Sequence, residues 1–341
     1  LQASMENLML IKHTKSLCRE CQAEIPAHIE VRDEEVWISK HCEVHGHAEA
    51  IVERSYQFWQ WMFSNQSPEP FLEHFNVCVI PVTDRCNLKC PHCYHVPKKS
   101  SDPSISEILS MVGKVKPGRG IILMGAEPTM RDDLPRVVAE VRKLGRAVHI
   151  YTNGVRLADP NYVRRLKVAG IHAVCFSLHT KHYVSGWQEK IEALKNLEHH
   201  EVYVDNISFT MDGLETIDKI LDNMQRFWHQ PNHFILRVPA PLGRHRGPSS
   251  FLSEVVPNIY ERCEARSWKI SLANADNNPY HLVFDVNDKQ LQVIRWPDID
   301  EVDLSDIGVP TCMFFPDLGE ISFICGALLL EAERSNILKV A

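Results

Sequence analysis

The chain has 341 residues, 44% of them hydrophobic and 24% charged, with a net charge of −7 at neutral pH. That is the make-up of a soluble globular protein with one large core or two modest ones. It excludes a helical membrane span, since no apolar run reaches about 18 residues, and it argues against a broad nucleic-acid surface. The N-terminal residues lack the charged-then-apolar pattern of a secretory signal, and several of the 11 cysteines stand at metal-ligand spacing. A reducing, cytoplasmic setting is expected rather than a disulfide framework.

Residues 1–50 read as a metal-binding ribbon. Cys18 and Cys21 form one C-x2-C knuckle; Cys42 and His45, followed by Gly46, form a second. Two knuckles about 20 residues apart suit a tetrahedral Cys3His site, usually zinc, although iron fits the same donors in a rubredoxin-like setting. Between them, residues 29–31 and 35–38 predict two short strands around a turn at Arg32-Asp33-Glu34. The plainer alternative is buried cysteines with surface histidines at His41, His45 and His47. The paired spacing favours metal, which would supply much of the folding energy of so small a unit. Residues 51–75, rich in aromatics such as Tyr56, Trp59, Trp61 and Phe71, predict a linker helix that packs the ribbon onto the core beyond residue 76.

From residue 76 strands and helices alternate, the pattern of a parallel sheet with helical crossovers. A strand over 77–82 runs into Cys86, Cys90 and Cys93, a C-x3-C-x2-C loop. Three thiolates on one tight loop can hold three irons of a 4Fe-4S cube and leave the fourth open to a small molecule. A zinc site or a scatter of buried thiols is the alternative, but no matching cysteine pair follows closely enough to complete a zinc tetrahedron. Further strands are predicted over 120–124, 147–151, 173–179, 202–209 and 233–238. Helices are predicted over 104–115, 133–144, 160–169, 187–199 and 214–228. This α/β series makes residues 76–245 a partial (β/α)6 TIM-like barrel with active residues at the C-terminal strand ends.

Residues 246–341 read as an α+β extension, with a helix near 251–266 and strands over 281–286 and 291–296 joined by a turn at 287–290. Cys263, Cys312 and Cys325 in this tail match no compact cluster spacing. They are read as isolated buried thiols, with an auxiliary cluster or a catalytic thiol as the alternatives.

The cysteine loop resembles the signature of the radical S-adenosylmethionine (SAM) superfamily. The resemblance implies a 4Fe-4S cluster on Cys86, Cys90 and Cys93 whose open iron chelates the amino and carboxylate groups of SAM. It also implies reductive cleavage of SAM to methionine and a 5′-deoxyadenosyl radical. His92 stands where the family often has an aromatic residue near adenine. Gly125-Ala126-Glu127-Pro128 resembles the family's G-G-E-P motif, with Ala126 in place of the second glycine. There an exposed strand-end backbone can pair with SAM's amino group, and Glu127 either accepts from that group or holds the loop. Thr152-Asn153-Gly154 is a frequent feature of the family, or simply a good turn. Ser177, Asn206 and Arg237, on three successive strands, are placed for SAM's ribose or carboxylate, which arginine's planar fork suits. Residues 239–244 are placed as the turn over adenine, while His179 need not touch a ligand.

Ribbon and core together, over roughly residues 15–240, resemble one branch: the pterin-type (class D) radical SAM methylases and the archaeal tetraether lipid synthases. The expected function is that of an enzyme that functionalises a C–H bond of its substrate, by methylation or other C–C bond formation. Dehydrogenation, rearrangement and peptide modification stay open. The expected partners are a small-molecule substrate and an electron donor such as flavodoxin or ferredoxin. Two alternatives stand beside this: a non-catalytic iron–sulfur and zinc protein that senses redox state or docks a partner, and an RNA-modifying enzyme, which the net charge disfavours.

Overall fold

The computed structural model describes residues 8–21, 23–65, 77–93, 101–115, 117–179, 185–239, 244, 249–275, 281–295, 297–298 and 300–304. Phe71, residues 240–243, Cys312 and Cys325 lie outside them.

At the tip of the first hairpin Asp33 and Glu34 have φ of 47° and 68°, left-handed values whose twist matches a two-residue turn between antiparallel strands. This turn joins β2 (Glu24–Arg32) to β3 (Glu35–Cys42); β1 (Met9–Leu17) and β4 (Gly46–Glu53) complete a four-stranded sheet in chain order. The sequence alone predicts only two short strands here. The outer two mix apolar and polar residues without a regular alternation to read. The main core cluster of this unit is Ala27, Ile29, Val36, Ile38 and Val52, with a second small cluster of Ile25 against Cys18 and Cys42; so small a core leans on a metal or a neighbouring unit.

Helix α1 (Tyr56–Ser64) starts where the Ser55 hydroxyl accepts the Phe58 N–H at 3.2 Å. Its Trp59 packs on both the ribbon core and the larger core beyond, as expected of a joining helix. A second tie is the strap over residues 298–304. Lys12 pairs with Asp303 at 2.8 Å, the Leu304 N–H donates to the Lys15 carbonyl at 2.8 Å, and Arg19 pairs with Asp298 and Asp300.

The larger unit follows from strict alternation. Strands β5 (Val77–Thr83), β6 (Gly120–Gly125), β7 (Val148–Thr152), β8 (Ala173–Ser177), β9 (Tyr203–Thr210) and β10 (Pro231–Val238) pair in sequence order and all in parallel. The crossovers carry α2 (Ile105–Gly113), α3 (Leu134–Lys143), α4 (Pro160–Val168), α5 (Trp187–His199) and α6 (Ile217–Arg226). This is the arrangement of a partial (β/α)6 barrel. One face of each strand supplies apolar residues to the main core, among them Leu123, Ile150, Phe176, Phe209 and Phe234. The other face carries polar ones: His149, Tyr151, Cys175, Ser177, Ser208 and Arg237. That polar face is the inside of the barrel.

The C-terminal extension is attached through the barrel sheet. Helix α7 (Leu252–Ala265) is followed by β11 (Ile270–Ala275), β12 (His281–Val286) and β13 (Lys289–Arg295). β13 pairs in parallel with β10, so these strands prolong the barrel sheet to nine instead of standing apart. β11 is not legible in the sequence; it is short and polar at Ser271 and Asn274.

Candidate active site and metal centres

Strand β5 delivers the cysteine loop to the C-terminal edge of the sheet. The Leu88 N–H points at the Cys86 sulfur at 3.3 Å, the Asn153 side-chain amide approaches the same sulfur at 3.9 Å, and the Cys93 N–H bonds the Cys90 carbonyl at 3.3 Å. All three cysteines are half-buried, and none forms a disulfide. Without a cation, burial pushes the Cys86 and Cys90 thiols above their ordinary range. The donor set fits an iron–sulfur cube: three sulfurs on one turn, with backbone and amide N–H groups turned toward the sulfur of Cys86. The Arg244 N–H donates to the Cys93 carbonyl at 2.9 Å.

Behind the cysteines stands a buried hub. Glu127 is 1% exposed. One carboxylate oxygen accepts from the Thr129 N–H at 3.0 Å, the Thr129 hydroxyl at 2.5 Å and the Thr152 hydroxyl at 2.7 Å; the other accepts from the Asn153 N–H at 2.7 Å. Both oxygens are therefore engaged inside the protein, and the side chain ties the loop after β6 to the loop after β7. Its own N–H donates to the Arg85 carbonyl at 3.0 Å, and the Ala126 N–H to that of Thr83 at 2.9 Å, which adds the cysteine loop to the tie. Gly125 has φ of 140°, and a Cβ there would stand 2.1 Å from the Thr83 carbonyl oxygen, so this close passage needs glycine. Gly154, at φ of 79°, would drive a Cβ to 2.2 Å from the Phe176 ring. Thr152-Asn153-Gly154 is thus more than a good turn. Asn153 also bonds Asn87, inside the cysteine loop, at 2.8 Å.

The other strand ends face this hub. The Ser177 hydroxyl lies 3.4 Å from that of Ser208. Arg237 sits over the Tyr151 ring at 5.9 Å, and among the described residues no carboxylate pairs with it. Its guanidinium is available to an anionic ligand. Asn206 is placed deeper than Ser177 and Arg237, beside Asp205.

Two features here are not anticipated by the sequence reading. Lys190 on α5 is fully buried, its ammonium donating to the Ser177 carbonyl at 2.6 Å and the Leu178 carbonyl at 3.4 Å. Burial pushes it down to about 8, against the pull of Cys90, Glu127 and Cys86. The signal that could have found it is a lysine at an apolar helix position, beside Ile191 and Leu194. The second is a histidine pair: His92, within the cysteine loop, lies 3.2 Å from His179, Nε2 to Nε2. The Thr210 N–H donates to His179 Nδ1 at 3.1 Å. His179 therefore carries its proton on Nε2 and donates it to His92, and burial keeps it neutral.

In the ribbon, Cys18, Cys21, Cys42 and His45 bring their donor atoms within 4.8 Å of one another. Cys21 and Cys42 sulfurs are 3.9 Å apart, and His45 Nδ1 is 3.5 Å from both Cys18 and Cys42. Zinc held tetrahedrally at about 2.3 Å from sulfur and about 2.0 Å from nitrogen would set those separations near 3.8 and 3.5 Å. The donors fit the ion. Backbone N–H groups of Val44 and His45, then the His45 ring, bring Cys42 down to about 6. Cys263, by contrast, lies in the main core, where burial pushes it up to about 11.

Lower in the barrel a cavity of about 500 Å³ opens among β5 to β13, with His149, Cys175, Asp205, Asn206 and His233 on its walls. Nothing in the sequence pattern announces it.

Residues 80–227 match the radical SAM superfamily, and residues 10–54 match the HMPTM N-terminal zinc ribbon domain. The chain is similar to 7,8-dihydro-6-hydroxymethylpterin dimethyltransferase of Methanocaldococcus jannaschii, 32% identical over 192 residues, 48% of this chain and 38% of that protein. It is also similar to Fe-coproporphyrin III synthase of Methanosarcina barkeri, 39% identical over 107 residues, 30% of this chain and 27% of that one. The matched stretch spans well under half of either relative. Among solved structures, SuiB of Streptococcus suis bound to S-adenosylmethionine aligns with a TM-score of 0.49 and 15% identity, over 73% of this chain and 57% of that one. The chain thus carries a radical SAM domain over residues 80–227 and, ahead of it, a zinc ribbon domain over residues 10–54.

Proposed function

We propose that this chain is a radical SAM enzyme that functionalises a C–H bond of a small molecule, with methyl transfer as the outcome. A radical SAM domain brings a 4Fe-4S cluster and SAM. When bound, the cluster supplies the electron that cleaves SAM to methionine and a 5′-deoxyadenosyl radical. In this reading Cys86, Cys90 and Cys93 hold the cluster, and Cys18, Cys21, Cys42 and His45 hold zinc. The Glu127 hub carries the proposal most directly. It locks the cysteine loop, Gly125-Ala126 and Asn153 into one rigid wall, leaving backbone of the Gly125–Pro128 loop to receive SAM's amino group. Ser177 and Arg237 stand near the C-terminal ends of β8 and β10, for the ribose and carboxylate of SAM. Asn206 lies lower and faces the substrate side.

The methyl outcome rests on the likeness to a pterin dimethyltransferase and on the ribbon domain. A reducing compartment and a flavodoxin- or ferredoxin-type donor suit the cluster. Among the described residues no helix is long and apolar enough to cross a membrane. The test is label transfer. Reconstituted protein, a reductant and SAM labelled in its methyl group are screened with pterins and other small heterocycles. The expected result is label in one class of acceptor together with 5′-deoxyadenosine. Steady 5′-deoxyadenosine release with label recovered only in methionine would remove the methylation reading and keep the radical one.

A further inference from the structure

The inside of a parallel barrel is ordinarily filled by valine, isoleucine and leucine. Here three adjacent strands place metal donors there instead. His149 on β7, Cys175 on β8 and Asp205 on β9 bring one donor atom each within 4.8 Å of one another, and the Cys175 sulfur is 3.8 Å from an Asp205 oxygen.

The backbone is bent to make this possible. Val174 pairs with Val204 but Cys175 pairs with Asn206, so Asp205 is an extra residue in β9. A strand normally sends neighbours to opposite faces; the bulge turns both Asp205 and Asn206 into the cavity. Among the described residues no cationic side chain pairs with Asp205; its partners are the Cys175 thiol and, at 3.3 Å, the Asn206 amide. Asn206 is 2% exposed, and its carbonyl oxygen has no hydrogen-bond partner although the side chain lines the same cavity. A buried orphan acceptor beside a carboxylate that lacks a cationic partner points to something positive or proton-donating in the space.

We infer that His149, Cys175 and Asp205 form a second zinc-type site, inside the barrel and separate from the ribbon. The mixed nitrogen, sulfur and oxygen set argues for it. Magnesium and calcium take all-oxygen shells, and copper(I) takes sulfur-rich ones; zinc accepts all three donor types. Three protein ligands leave a fourth position open to the cavity, the pattern of zinc sites that bind water or substrate. The Asn206 amide, bonded to Asp205, orients the carboxylate. His233, Gln290 and Gln292 line the remaining wall and can hydrogen-bond a polar molecule on the metal. Cys175 lies two residues before Ser177, roughly 7 Å down the strand. A ligand held on the metal would therefore point up toward the strand ends.

The full chain, reconstituted anaerobically with iron, sulfide and zinc and then desalted, tests this by zinc content and by zinc X-ray absorption. Wild type should hold one more zinc per chain than each of His149→Gln, Cys175→Ser and Asp205→Asn, while iron content stays the same. Equal zinc in wild type and all three variants overturns the site. X-ray absorption of the wild type needs no variant to fold. Ribbon and barrel zinc together should average about two sulfur ligands per metal, whereas a ribbon site alone should show about three. A value of three contradicts the inference.

Discussion

Glu127 shows how one side chain can organise a site without touching the reaction. Its four donors come from two loops, and bonds to a buried charged acceptor are worth about 1.5–3 kcal/mol each before compensation. Glu127→Gln turns an N–H2 toward groups that are themselves donors. Chemical denaturation should show the protein without SAM losing about 2–3 kcal/mol. A role confined to SAM's amino group predicts something different, unchanged stability with weaker SAM binding. The motif is legible in sequence, because a Gly-x-Glu-Pro run at a strand end is unusual. Its partners are not, since Thr129, Thr152 and Asn153 are ordinary loop residues until the register of β6 and β7 brings them together. Lys190 escapes notice for the opposite reason. Its helix shows clear apolar spacing, and the lysine at a core position reads as an exception until its ammonium is seen on the β8 carbonyls.

At the scale of elements, stability is unevenly shared. The ribbon has two small core clusters, one of them built on the metal-ligand cysteines, so its sheet should depend on the ion. Chelation followed by hydrogen exchange should release the amides of β1 to β4 while those of β6 to β9 stay protected. Uniform protection after metal removal would show that α1 and the strap suffice to hold it. The C-terminal helix is tied differently. Asp218 on α6 pairs with Arg262 of α7 and with Arg266 just past its C-terminal end. The Arg266 guanidinium, and then that of Arg262, hold its carboxyl below the usual carboxylate range. Because its folded pKa is depressed, this contribution is complete above the unfolded value near 4 and is lost as pH falls through the folded one. The pair is half exposed, so the effect is small, about 0.5–1 kcal/mol. Asp218→Asn should flatten the fall in melting temperature below pH 4; an unchanged slope would show that the pair contributes nothing there. Elements with strong alternation, β6 to β10 and their helices, are readable from the sequence to within a few residues. β1, β4 and β11 are not, because exposed or polar edges carry no period-two pattern.

Across the whole molecule, sequence carries the cysteine loop, both ribbon knuckles and the strand–helix repeat, all of them local in the chain. Non-local relations need the fold. β13 joins the barrel by pairing with β10, which no spacing announces. His149, Cys175 and Asp205 meet only because β7, β8 and β9 are neighbours and β9 carries a bulge. In the proposed function the Cys86–Cys90–Cys93 loop is the place where SAM is cleaved, and the rest of the barrel is the place where the radical is used. One measurement addresses that directly. Anaerobically reconstituted protein and a variant with Cys86, Cys90 and Cys93 all replaced by alanine are given SAM and dithionite, and 5′-deoxyadenosine is quantified against iron content. The expected result is 5′-deoxyadenosine from the wild type and none from the variant, whose ribbon still holds its zinc. A wild-type protein with its cluster fully loaded that releases no 5′-deoxyadenosine would contradict it.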